Sequence, residues 1–395
     1  GAHGSGAPGG ARTGRGAGLS GGAGLSLWLD EPAPPRPPLS GDASADVAIV
    51  GGGIAGLSAA YALAREGARV MVVERSGVAT GATGQNAGFL LAGVAENFVA
   101  ACRRYGPERA TRIWRFTMTN RVLLRSVARR HGIDCDLAWS GSLQIAGDEE
   151  EWGEIRESAR QLAGHGVRVS LDPERRAARY EEDGELHPVR FARGLAAAAE
   201  SRGARIHEGT DARSVRPDAV ATDGGTVRAG SVLVCTYGFA EHLVPRSRVA
   251  PIRGQMLATA PVARRVFACP VYAHRGYRYW RQTADGRVLV GGWRNTAFEE
   301  ETGEEARPTD RIQSQLDAFL LEHRVDAAVT HRWAGIMGFS HDGLPYIGRR
   351  SDGVFVLGGF TGHGNAFAIA GGELVASLIR TGRHPDADLF DPERP

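Results

Sequence analysis

Three glycines spaced Gly51-x-Gly53-x-x-Gly56 separate a hydrophobic run, Asp46–Val50, from a stretch of small apolar residues that continues through Arg65. Between a strand and a helix, that spacing suits a dinucleotide. The first glycine permits a tight turn, the second lets backbone N–H groups approach a pyrophosphate, and the third lets the helix pack on the strand. The pattern continues through Ala60, Gly67 and Val70 to Glu74. A carboxylate closing the second strand, "ARVMVVER", can accept from a ribose diol, which favours NAD or FAD over NADP. A second small-residue loop, "GATGQNAG", follows directly. There Thr83, Gln85, Asn86 and Gly88 offer hydroxyl and N–H contacts to a cofactor longer than NAD, although a plain polar surface loop has the same composition. Near the other end, "GFTGHGNAFAIAGGEL" reads as another glycine turn opening a helix, a place where negative charge is stabilised.

Elements able to hold these turns alternate along the chain. "DVAIV" and "ARVMVVER" are buried strands, 95–133 is helical by pattern with Pro107 near a helix start, and "DEEEWGEIRESARQLAGHG" is a helix capped at its acidic end. Between Pro251 and Gly292 the period changes to alternating strands, with a hairpin turn at Ala284-Asp285-Gly286. The apolar run from Ala48 to Ala64 changes period midway and is too glycine-rich for a membrane span. Net charge is only +2, which gives no general pull toward nucleic acid or anionic lipid. All 47 basic residues counted as lysine plus arginine are arginine. Schiff-base chemistry and a P-loop lysine are therefore excluded. Cys102, Cys135, Cys235 and Cys269 have no metal or CxxC spacing and read as reduced thiols of a cytoplasmic protein. No metal site is expected. The start "GAHGS" reads as a cloning remnant or, with its arginines and lack of acids, as a transit segment. Residues 1–40 are expected to be a flexible lead.

The quoted stretches, joined by "RRYGPERATRIW", "HGIDCDLAWSGSLQIA", "YWRQTADGRVLVGG" and "RWAGIMGFSHDGLPYIG", resemble the D-amino-acid oxidase, glycine oxidase and sarcosine oxidase family, nearest its γ-glutamylputrescine oxidase branch. The likeness runs from about residue 37 almost to the end. It implies an α/β fold (α+β overall), with a Rossmann-like FAD-binding domain built from 41–95, 187–247 and 334–395. An antiparallel-sheet substrate domain, 96–186 and 248–333, is inserted into it. FAD is expected to be held non-covalently. Carried onto this sequence, the resemblance places Gly51, Gly53, Ile54, Ala55 and Gly56 at the diphosphate, with Glu74 and Arg75 behind them. Ala82, Thr83, Gln85, Asn86, Ala87 and Gly88 lie along the cofactor, with Ala212 and Gly335 also in contact. Gly362, His363, Gly364 and Asn365 come to the flavin ring, where the last helix start stabilises charge developing at N1 and O2.

The same resemblance implies oxidation of an amine to an imine that water hydrolyses, with oxygen or another acceptor reoxidising the flavin. Glycine oxidase-like members carry arginine in W-A-G-x-R, where it pairs with the substrate carboxylate. Here the segment is Trp333-Ala334-Gly335-Ile336-Met337. A thioether takes no carboxylate, so a long or apolar amine fits better, although methionine is also an ordinary core filler. The oxygen-activating lysine of monomeric sarcosine oxidases has no counterpart. Tyr279 and Arg281 share one strand face: Tyr279 caps an amine or packs across strands, and Arg281 meets a distant carboxylate or a local acid. His363 titrates near neutrality or supports the backbone. An NAD-dependent dehydrogenase and a non-catalytic flavin-binding protein stay open as other readings, and the oligomeric state is undetermined.

Overall fold

The computed structural model describes residues 24–236, 238, 243–245 and 247–395. The "GAHGS" start lies outside them. Two eight-stranded sheets carry the architecture. In the first, the parallel strands run Phe355–Gly358, Gly225–Val234, Ala43–Val50, Val70–Val73 and Arg205–His207, with Tyr346–Arg349 antiparallel at one edge. Ala219–Thr222 and Ala212–Arg216 extend the sheet antiparallel from Gly225–Val234. Its strands read as continuous apolar runs because helices cover them. Ile49, Val72, Leu233 and Leu357 are fully buried. Register pairs Val50 with both Val73 and Val234, so the carboxyl ends of three central strands stand level. In open parallel sheets that edge is where ligands bind.

The second sheet takes Val329–Ser340, Val249–Pro261, Arg287–Gly292, Arg278–Gln282, Val271–Ala273, Ser142–Ile145, Ala177–Tyr180 and Val169–Asp172, in that order. The hairpin expected at 284–286 joins Arg278–Gln282 to Arg287–Gly292. One pair departs from an antiparallel sheet: Val271–Ala273 runs parallel to Ser142–Ile145. These strands come from separate stretches of chain, and no tight turn fixes their relative direction. Val329–Ser340 runs through the boundary expected at 333/334, so residues 334–340 lie in this sheet.

Helix Ile54–Arg65 crosses from the first sheet to helix Gly364–Thr381. Gly372 makes their approach possible, since a Cβ there would lie 2.6 Å from the Ser58 Cβ. The acidic helix Glu149–Gly164 is capped by Asp148, which accepts from the Glu151 N–H at 2.8 Å. The helical stretch expected over 95–133 is two helices, Phe98–Tyr105 and Pro107–Arg130, broken at Gly106 with φ +85°.

From Ser26 onward the lead is anchored at separate points. Trp28 is 2% exposed and donates its indole N–H to the Asn86 carbonyl at 2.7 Å. Arg36 pairs with Glu200 at 2.7 Å. Between these anchors residues 32–35 stay exposed and form no helix or strand, as their prolines favour.

Candidate active site

A cavity of about 1040 Å³ opens between the two sheets. At one end lies the turn Gly51–Gly56. Gly51 has φ +112°, and a Cβ on Gly56 would stand 2.0 Å from the Gly51 oxygen. Only glycine permits this approach of helix to strand, so Gly56 serves packing and does not line the cavity. Gly51, Gly53, Ile54 and Ala55 do line it. The first turn of a helix leaves backbone N–H groups without partners inside the helix, and these suit a phosphate.

Glu74, also at the cavity, accepts from the Gly52 N–H at 2.7 Å and the Ser76 N–H at 2.9 Å. Burial pushes its carboxyl up, while these two N–H groups pull it down. A carboxylate has about four lone-pair sites, so those bonds leave room for a ribose hydroxyl. Arg75 and Ala212 line the same end.

The loop carrying Ala82, Thr83, Gln85, Asn86, Ala87 and Gly88 forms the middle of the wall. Its polar side chains mostly hold the loop itself. The Thr83 hydroxyl accepts from the Ile54 N–H at 3.0 Å. Asn86 donates to the Ala82 and Thr83 carbonyls and accepts from the Gly88 N–H at 2.7 Å. The fully buried Trp333 donates to the Gln85 carbonyl at 3.0 Å. Gly335 lets the neighbouring strand approach, for a Cβ there would lie 2.8 Å from the Gln85 Cβ.

At the far end the turn before helix Gly364–Thr381 returns. Gly362, His363, Gly364 and Asn365 all line the cavity. Asn365 donates to the Asn86 oxygen at 3.2 Å and so ties the late turn to the early loop. Of the two roles left open for His363, titration near neutrality is the one its surroundings disfavour. Burial holds it below its ordinary value. Its Nδ1 lies 3.2 Å from the Thr361 carbonyl, which can only accept, so that nitrogen carries a proton.

The substrate-side expectations divide. Tyr279 and Met337 both face the cavity and meet near Gly254, where a Cβ would lie 3.6 Å from the tyrosine oxygen and 2.9 Å from the Met337 Cε. Arg281 does not line the cavity. It is 3% exposed, donates to the carbonyls of Gly88 and Leu186 at 3.2 and 3.1 Å, and faces Glu185 at 3.2 Å. It props the loop from behind. The strand period puts residues 279 and 281 on one face, but by position 281 that face has left the cavity and runs under the loop.

Sequence reasoning passed over Tyr272, Tyr277, Arg294 and Phe339, which also line the cavity. Arg294 follows Gly292 (φ +114°) and Trp293 (φ +62°) in a short 3-10 turn, where neither strand nor helix period marks a face.

Two helix starts at one cavity, beside the carboxyl edge of a parallel sheet, define a dinucleotide-binding protein. Residues 46–378 match the family described as FAD dependent oxidoreductase (DAO), and the chain belongs to that family. It is 28% identical over 391 residues to the probable oxidoreductase OrdL of Rhizobium meliloti, covering 92% of this chain and 90% of that one. It is 27% identical over 375 residues to gamma-glutamylputrescine oxidoreductase of Escherichia coli, covering 88% and 85%. The crystal structure of glycine oxidase from Geobacillus kaustophilus superposes with a TM-score of 0.77 at 25% identity, covering 89% of this chain and 99% of that chain. The protein is an FAD-dependent oxidoreductase of the amine and amino-acid oxidase class. The residues present fit the cofactor: glycine-lined approaches at both ends and two helix starts meet the needs of a diphosphate and of a ring that gains negative charge. Among the described residues, no helix is long and apolar enough to cross a membrane.

Proposed function

We propose that the protein oxidises a C–N bond of a long or apolar amine to an imine, which water hydrolyses, and that oxygen reoxidises the flavin to give hydrogen peroxide. The observation that carries this reading is Met337 at the inner wall, between Gly254 and Gly362, beside Tyr279. Bound FAD supplies the hydride acceptor. The chain's own residues bind and orient. Tyr279 offers its hydroxyl to the amine. Burial pushes that hydroxyl up to about 12, so it remains a protonated donor throughout the working range. Burial of His363 disfavours an added cation beside the amine. Met337 supplies apolar surface and refuses a carboxylate next to the reacting carbon.

In this reading 41–95, 187–247 and 334–395 hold the cofactor and 96–186 with 248–333 shape the substrate side, except that 334–340, with Met337, belong to the substrate-side strand Val329–Ser340. The Escherichia coli relative's name, gamma-glutamylputrescine oxidoreductase, supports an amine at the end of a long chain. The four unpaired cysteines support a cytoplasmic setting. FAD is held without a covalent bond, so acid precipitation will leave the yellow colour in the supernatant.

The test is anaerobic titration of the yellow holoenzyme with amines and amino acids. Long-chain amines are expected to bleach the flavin, and glycine at equal concentration is not. Bleaching by glycine would refute the role given to Met337. Bleaching without peroxide formation in air would assign a different acceptor, and a colour that no amine removes would make the protein a flavin binder without amine oxidation.

A further inference from the structure

We propose that Arg294 reads an anionic group at the outer end of the cavity, so that the substrate is an amine carrying a carboxylate several bonds from the C–N bond that reacts. The proposal rests on the amine-oxidising reading above. It begins from the pairing of the cations around the cavity. Arg104 meets Glu96 at 2.8 Å, Arg213 meets Asp211 at 3.0 Å, and Arg275 meets Glu154 at 2.9 Å. Arg294, among the described residues, meets rings and no carboxylate. Its Cζ lies 4.9 Å from the centroid of Tyr277, 5.7 Å from that of Phe298 and 4.8 Å from that of Phe339. Aromatic faces hold a guanidinium through its flat sides and leave its in-plane N–H groups to pair with a carboxylate. The group is half-buried, so its charge is partly desolvated without a counter-ion, and an entering anion gains accordingly.

Position separates this cation from the reacting end. Arg294 follows strand Arg287–Gly292, which pairs with Arg278–Gln282 and sets Gly291 opposite Tyr279. Phe298, at 51% exposure, packs edge-on against Tyr277 at 5.8 Å and puts this ring cluster on the solvent side. Met337 and Tyr279 occupy the inner side by Gly254, and Met337 also approaches Gly362 of the late turn. Burial raises the Tyr272 and Tyr279 hydroxyls, and the charge of Arg294 acts on both in the opposite direction. One end of the cavity accepts an amine and refuses a carboxylate, while the other offers an uncommitted guanidinium. The distant-carboxylate role open to Arg281 belongs to Arg294, because Arg281 is engaged beneath the loop.

The experiment uses FAD-loaded enzyme under anaerobic conditions, with δ-aminovalerate, its uncharged amide and pentylamine as probes and flavin absorbance as readout. A charge-assisted pair predicts that δ-aminovalerate binds about ten- to a hundredfold more tightly than its amide. Arg294→Gln should erase that ratio at unchanged FAD content, and Arg294→Lys should keep part of it. Equal binding of acid and amide by the unaltered enzyme, or an undiminished ratio in Arg294→Gln, overturns the proposal even if amines bleach the flavin. Glutarate separates the two readings. If no amine bleaches the flavin, yet glutarate perturbs its spectrum in the unaltered enzyme and not in Arg294→Gln, the anion role stands and the amine-oxidising reading falls.

Discussion

A Cβ on Gly56 of the early turn would stand 2.0 Å from a backbone oxygen, whereas a Cβ on Gly362 of the late turn would meet only the Met337 sulfur, at 3.4 Å. Backbone cannot yield, but a thioether can. The late turn's demand is conformational instead: Gly359, Thr361 and Gly362 all have positive φ, at +70°, +50° and +83°. For β-branched Thr361 that is a strained state. It is held by the Gly338 carbonyl, which accepts the Thr361 N–H at 2.9 Å, and by Ser340, whose N–H reaches the Thr361 hydroxyl at 3.2 Å. The early turn is fixed by close packing of its helix on its strand and by backbone N–H bonds to Glu74 and Thr83 of the same sheet edge and loop. The late turn is fixed by the substrate-side strand Val329–Ser340. The early end of the cavity is thus built into rigid backbone, while the late end is set by residues of the strand that also carries Met337; in the proposed reading these are the diphosphate and ring ends.

That contrast can be broken in graded ways. Gly56→Ala should have the largest effect: overpacking against backbone costs about 3 kcal/mol and displaces the helix start. We expect most of the bound FAD to be lost, read as the ratio of flavin to protein absorbance. Retention of full flavin would refute the rigid-grip account. Gly362→Ala should cost about 1–2 kcal/mol from its left-handed backbone, keep its FAD, and shift the flavin midpoint potential negative as N–H groups move off the reduced ring. A change in flavin content as large as that of Gly56→Ala would erase the distinction.

The smallest effect concerns His363. Its folded value lies below the ordinary 6.5, so the unfolded chain takes up a proton first as pH falls. Its contribution is complete above about pH 6.5 and declines below it. Urea midpoints between pH 8 and 5 should therefore fall more steeply for the unaltered protein than for His363→Asn. Parallel curves would mean that the imidazole gains its proton in the fold.

The early turn, the "GATGQNAG" loop and the return of the chain at Gly362 were legible in the sequence because each is a local backbone requirement that glycine spacing records. Side chains whose partners lie far along the chain were not. Arg281 obeys the strand period, yet its surroundings change from cavity to loop within two residues. Arg294 sits in a turn that has no period, and its three rings come from positions 277, 298 and 339. Trp28 lies in a glycine- and leucine-containing lead just before the prolines, and only the tertiary fold supplies the Asn86 carbonyl it binds. The parallel pair within the second sheet depends on strands separated by more than a hundred residues, a distance beyond any hairpin rule.

The contact of Gly372 with Ser58 has a mechanical consequence. It locks the two cofactor-facing helices into one rod pair, so neither tip can retreat without dragging the other. Heat or urea should therefore strip the nucleotide end and the ring end together, in one cooperative release, with no half-tethered species along the way.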